Sequence, residues 1–132
     1  MCMLQLSASV IKTSHEAPRR REIYLVASDP TVGHEIQKTR PAVIIQNNIS
    51  NEHSPITIVA AISSQFSTPP HPREVLLPSG GKTGLTLPSA AVLNQIRSID
   101  RARLQKRLGI VDAATMQRID EALKISLALV AF

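Results

Sequence analysis

The sequence predicts a mainly β, α+β domain: a small antiparallel barrel with a C-terminal helix packed on it and short helical turns. Three observations carry this. Strand-like apolar runs come first and the one strong helical pattern comes last, without the strand–helix alternation of a parallel doubly wound sheet. The runs are short and separated by turn residues such as Asp29-Pro30, Gly33 and Ser79-Gly80-Gly81. At 132 residues, 43% hydrophobic and 19% charged, the chain suits one domain around one core.

The elements follow in order. Residues 1–20 read as a poorly ordered N-terminal extension, and 21–132 as the domain proper. Glu22 to Ala27 is strand by its aromatic and branched content. Pro41 to Gln46 is a second strand, entered through a proline, which suits a strand start. Asn47 to Pro55 is a polar connection, and Ile56 to Ser63, apolar on both faces, is a central strand. Phe66 to Arg73, with three prolines, is an irregular loop before a short strand, Glu74 to Leu77. Ser89 to Ala91 suits a short helical turn, and Val92 to Ile99 a further strand. Asp112 stands where a helix N-cap belongs. Met116, Ile119, Leu123, Leu127 and Val130 then recur at three- and four-residue spacing to make one apolar face for the core.

Charge and composition narrow the function. The net charge of +5 is uneven: residues 1–21 carry +3 of it and the remainder only +2. The high pI therefore does not by itself argue for nucleic acid. Arg97, Arg101, Arg103, Lys106 and Arg107 do cluster, against Asp100 alone, as a solvated turn or helix face or as part of a phosphate-binding surface. One cysteine excludes an internal disulfide and points to a cytoplasmic protein. No run is long and apolar enough for a membrane helix, and Met1 to Ile11 lacks the charge and cleavage site of a signal peptide. The four histidines are scattered, so no metal site and no cofactor is expected. Three aromatic residues are too few for a protein that grips bases mainly by stacking.

What remains is a polar loop, Gly33 to Arg40, that feeds directly into a buried strand. Its strongest electrostatic group is Arg40, whose planar guanidinium can hold two oxygens of a phosphate and stays charged. On the residues alone, Arg40 fits equally well a salt bridge with Glu35.

Six blocks in order carry a family resemblance. They are Arg21-Glu22-Ile23-Tyr24, Pro30-Thr31-Val32-Gly33-His34-Glu35, Thr39-Arg40-Pro41 through Asn47, Ser54-Pro55 through Ser63, Asn94-Gln95-Ile96-Arg97-Ser98-Ile99-Asp100, and Ile119-Asp120 through Leu127. Over residues 21–132 the chain resembles the MazF/PemK family of toxin endoribonucleases of type II toxin–antitoxin systems. The resemblance implies an SH3-like barrel of the MazF/PemK/CcdB type and a homodimer. It also implies metal-independent, sequence-specific cutting of single-stranded RNA, and inhibition by a MazE-like antitoxin. The implied reaction is attack by a 2′-hydroxyl, leaving 2′,3′-cyclic phosphate and 5′-hydroxyl ends.

Residue by residue, the resemblance puts Arg40 on the family's catalytic arginine and Ser63 where the family usually has a catalytic threonine. Glu35 falls on a loop carboxylate that orients Arg40 or takes the 2′ proton. Thr31, Gly33, His34, Gln37, Lys38, Gln95 and Arg97 fall along the expected RNA groove. Three positions depart from the pattern: Arg21 stands where relatives usually have Gly, Ala27 where many have Asp, and Val92 and Asn94 where the PemK-like branch has Arg and Asp. The alternatives are a non-nucleolytic toxin acting by protein contact, as a gyrase poison does, which would have no need of Arg40 and its hydroxyl partner, and a degenerate relative that binds antitoxin or RNA without cutting, given Ser63.

Overall fold

The structure is a computed structural model and describes residues 16–27 and 38–131. Six strands form one antiparallel sheet: β1 (Glu22–Ala27), β2 (Thr39–Ile44), β3 (Ile56–Ser63), β4 (Glu74–Leu77), β5 (Ser89–Asp100) and β6 (Leu104–Ile110). The spatial order is β4-β5-β3-β2-β1-β6. Helix α1 (Asn48–His53) bridges β2 and β3, and α2 (Ala113–Ser126) follows β6.

The pleat divides the apolar residues between two faces. Ile23, Val43, Ala60, Ile62, Val75, Leu77 and Leu93 face α2, where Met116, Ile119 and Ala122 meet them in the main core. Val26, Ala42, Ile44, Val59 and Ile99 make a smaller cluster on the reverse face, rimmed by Tyr24 and Leu104. Burial on both faces is why β3 reads as a continuous apolar run. Between Ala60 and Ala61 the partner in β5 jumps from Ile96 to Val92, an irregularity that bends the long strand.

Three expectations need correction. Ser89 to Ala91 is not a helical turn but the start of β5, since their ladder to β3 and β4 and their burial outweigh alanine's helix propensity. The connection after Asn47 contains α1, capped by the Asn47 side chain on the Ser50 N–H. Leu104–Ile110, expected to be part of a solvated turn or helix face or a phosphate-binding surface, is an edge strand. Its register against β1 shifts twice, which breaks the alternation that would have revealed it.

The C-terminal helix begins at the expected cap, with Asp112 accepting from the Thr115 N–H at 2.7 Å. Donation by that N–H, ahead of the Thr115 side chain, holds the Asp112 carboxyl below its ordinary range. The apolar stripe is core through Leu123, but Leu127 and Val130 lie past the helix end and are exposed. Ala128, at φ 58, closes the helix with a 6→1 bond from Leu129 to Lys124 and a 5→2 bond from Ala128 to Ile125.

Of the expected N-terminal extension, residues 1–15 lie outside the described residues. Arg20 is tied at three points: its N–H donates to Asn48 Oδ1, its Nε to the Ile45 carbonyl, and its guanidinium pairs with Asp120 on α2. Arg21 has φ 85. The left-handed region costs an L-residue about 1–2 kcal/mol. Donation by Arg21 N–H to Ile44, by Val111 N–H to the Arg21 carbonyl, and by Arg21 Nε to the Val111 carbonyl holds it there.

The sheet's two ends, β4 and β6, are joined by the turn between β4 and β5. Ile110 N–H donates to the Lys82 carbonyl at 2.8 Å. The approach is closer than a side chain permits: a Cβ on Gly109 would stand 2.0 Å from the Lys82 oxygen, and one on Gly84 2.1 Å from the Leu108 oxygen. Gly109→Ala should therefore force backbone apart and destabilise by about 1–3 kcal/mol or more, measured by urea unfolding.

Under α1 a buried polar network replaces apolar core. Asn51 is fully buried; its Oδ1 accepts from Thr57 Oγ1 at 2.7 Å and Gln46 Nε2 at 2.9 Å, and its Nδ2 donates to the Gln46 carbonyl. Asn51→Ala strands the Thr57 hydroxyl in a dry site. An unfolding free energy lower by about 2–3 kcal/mol is expected, with an unchanged denaturant slope.

Candidate functional site

Arg40 sits at the start of β2, exposed, opposite Val26 of β1. On its other side β2 pairs with β3 through Ala42↔Ala61, Val43↔Ala60 and Ile44↔Val59. Carried two residues further, that register sets Arg40 opposite Ser63, the last residue of β3. Residues two apart share a face. Arg40 and Ser63 therefore stand together on the reverse face, at the margin of the cluster of Val26, Ala42 and Val59. Residues 23 positions apart in sequence thus converge through strand pairing.

Ser63 is half-buried, and its hydroxyl is engaged locally. Oγ donates to the Gln65 carbonyl at 3.1 Å and accepts from the Gln65 N–H at 3.0 Å. A hydroxyl has one proton, so donation to a phosphate oxygen requires it to turn away from Gln65, giving up a bond worth about 1 kcal/mol.

Arg97 of β5 pairs with Val59, on the same face, and Gln95 lies two residues back along the exposed strand. Lys38 is exposed just ahead of β2. The structure thus brings Arg40, Ser63 and Arg97 to one side of the sheet, while Gln95 is exposed within the irregular stretch of β5. Thr31, Gly33, His34, Glu35 and Gln37 lie outside the described residues.

Tyr24 and Arg107, which the sequence reading did not place in the site, occupy the same face. They pair with each other across β1 and β6, and Tyr24 also pairs with Ala42. Glu22 gathers both: its Oε1 accepts from Tyr24 Oη at 3.3 Å and from Arg19 N–H at 2.7 Å, and its Oε2 from Arg107 Nε at 2.9 Å. Burial, then the nearby Glu22 charge and its hydrogen bond, push the Tyr24 hydroxyl up to about 12. Two members of the basic cluster are engaged by the backbone. Arg101 Nη1 donates to the carbonyls of Asn51 and Ser54, and Arg103 Nε and Nη2 to the carbonyl of Ala27.

A groove of about 890 Å³ lies elsewhere: it runs between α2 and β4, past His71, Leu76 and Arg118, and includes neither Arg40 nor Ser63. Glu74 borders it, its carboxylate accepting from the N–H groups of His71 and Ser67 to fix the proline-rich loop. No three His, Cys, Asp or Glu among the described residues come together as metal ligands. No described helix is long and apolar enough to cross a membrane.

Residues 19–127 match the family of PemK-like, MazF-like toxins of type II toxin–antitoxin systems. The chain belongs to that family. It is 40% identical over 114 residues to endoribonuclease EndoA of Bacillus subtilis (strain 168), covering 86% of this chain and 97% of that protein. This relationship makes the chain a toxin endoribonuclease of that family. Solved structures agree in fold. A MazE–MazF complex from Deinococcus radiodurans aligns at TM-score 0.72 and 22% identity, covering 86% of this chain and 98% of that one. An endoribonuclease in complex with its cognate antitoxin, from mycobacterial species, aligns at 0.70 and 24%, covering 88% and 100%.

Tyr24 is the chain's one tyrosine, so its ionisation can be followed directly by tyrosinate absorbance. It should titrate near 12 in the folded protein and near 10 in urea. Between those values the folded state binds the extra proton, so stability should fall as pH rises from about 10 to 12.

Proposed function

We propose that this toxin cuts single-stranded messenger RNA at a short sequence motif, without a metal ion, at the site formed by Arg40 and Ser63. The observation that carries this reading is their convergence: a β2–β3 register that aligns a fixed cation with a hydroxyl on an exposed face. In the reaction the 2′-oxygen bonds to phosphorus as its proton leaves. The bond from phosphorus to the 5′-oxygen breaks as that oxygen gains a proton. The products are a 2′,3′-cyclic phosphate and a 5′-hydroxyl.

Arg40 offsets the charge that builds on the phosphorane oxygens and is placed to protonate the leaving oxygen. The Ser63 hydroxyl donates to a phosphate oxygen. Its lack of the threonine methyl leaves it a wider choice of rotamer, in keeping with its present engagement by Gln65. Glu35 is the proposed base or the group that orients Arg40. Lys38 and Arg97 extend the RNA's path from Arg40, and Thr31, Gly33, His34, Gln37 and Gln95 are proposed as further RNA contacts.

The reading includes a cytoplasmic homodimer held inactive by a small antitoxin, whose acidic, partly disordered end folds onto the RNA groove. Relatives crystallised with their antitoxins support the second part. Leu76, Leu127, Leu129 and Val130 offer exposed apolar surface for association.

Purified protein incubated with a long single-stranded RNA in EDTA should give fragments ending in cyclic phosphate and 5′-hydroxyl. Intact RNA, or cutting that chelation abolishes, would sink the reading. Arg40→Ala should lower kcat by about 10³-fold or more and Ser63→Ala by about 10²-fold, with unchanged melting. Full activity in Arg40→Ala would move the site elsewhere.

A further inference from the structure

Five cations between residues 97 and 107 look alike in sequence, yet the fold gives them different tasks. Arg101 and Arg103 are spent on backbone carbonyls. Lys106 pairs with Leu25 and so points to the opposite side from Tyr24. Arg107 is opposite Tyr24 and shares the face of Arg40.

Arg107 is also held in a particular way. Its Nε is bonded to Glu22, while its side chain is 47% exposed and that of Glu22 only 13%. Beyond Glu22, the guanidinium has no hydrogen-bond partner among the described residues. The Nη1 and Nη2 fork is therefore oriented by the chain yet open toward solvent, the arrangement that suits a phosphate. Glu22 holds the fork in place through Nε and offsets part of its charge, while Nη1 and Nη2 keep N–H groups to donate to an incoming anion. The tyrosine hydroxyl keeps its proton and adds no charge.

Two strand spacings and two residues of offset put Arg107 roughly 12 Å from Arg40, Cα to Cα. That is too far for one phosphate and within the span of a few nucleotides. We propose that Arg107, presented by Glu22 and Tyr24, is a second phosphate-binding position that grips the RNA strand at a distance from the scissile phosphate. It rests on the reading that Arg40 takes that phosphate. A backbone grip of this kind raises affinity for every sequence and adds nothing to the choice of motif.

Binding is measured by fluorescence anisotropy of a labelled single-stranded RNA, in an Arg40→Ala background, across a salt series. Adding Arg107→Gln should reduce the slope of log affinity against log salt by about 0.7, the loss of one neutralised phosphate on a single strand. Its affinity deficit should shrink about threefold as salt rises fourfold. Adding Glu22→Gln instead keeps the charge at 107 and should leave the slope unchanged. In the otherwise wild-type enzyme, Arg107→Gln should raise KM about fivefold on long RNA with kcat retained. An RNA too short to span both positions should be cut as before. An unchanged salt slope in Arg107→Gln, or an equal loss on short and long RNA, overturns the proposal. If Arg40→Ala itself still cuts RNA, the site reading fails, and the slope still reports on Arg107 separately.

Discussion

Strand β2 is paired on both sides, and its register cannot slip. Ala42, Val43 and Ile44 are all buried, with Val43 under α2 and Ala42 and Ile44 in the smaller cluster on the reverse face. A shift of one residue would turn the whole strand over, driving Arg40 toward the helix and exchanging the apolar sets of both cores. The position of Arg40 is thus fixed by the hydrophobic residues that follow it in the strand. The same pairing fixes Ser63, because β3 answers to β2 on one side and β5 on the other.

Much of this was legible in the sequence because the informative residues obey simple periods. Glu22–Ala27, Ile56–Ser63 and Glu74–Leu77 are strands with the bounds their composition implies, and Asp112 caps α2 as its position demands. Legibility failed where long-range contacts decide. Ser89–Ala91 carry helix-tolerant residues into a strand because the sheet buries them, and β6 hides its alternation behind two register shifts. Arg40 and Ser63 stood out in sequence through resemblance; only the β2–β3 register shows why they belong together. Tyr24, Glu22 and Arg107 gave no joint signal, being 85 positions apart at the extremes, and a β1–β6 pairing is what gathers them.

The molecule also separates two uses of arginine. Arg20, Arg101 and Arg103 tie element ends together, donating to backbone carbonyls at or near the ends of neighbouring elements. Arg40 stands on the open face instead, and Arg107 keeps only its Nε in the protein. A positive charge count cannot distinguish these cases, since a cation already satisfied by carbonyls has little left to offer an anion. The excess of basic residues is therefore a poor guide to where a nucleic acid sits on this sheet.

The junction between β6 and the turn before β5 has a consequence for how the protein can change over generations. The grip is made by the amide of Ile110 and the carbonyl of Lys82, with Gly84 and Gly109 giving the clearance. The outward side chains of Ser79, Lys82 and Thr86 take no part in it. Those side chains can therefore change without disturbing the backbone bond that joins the two ends of the sheet. The junction constrains backbone path and the two glycines, and leaves the outward chemistry of the turn unconstrained.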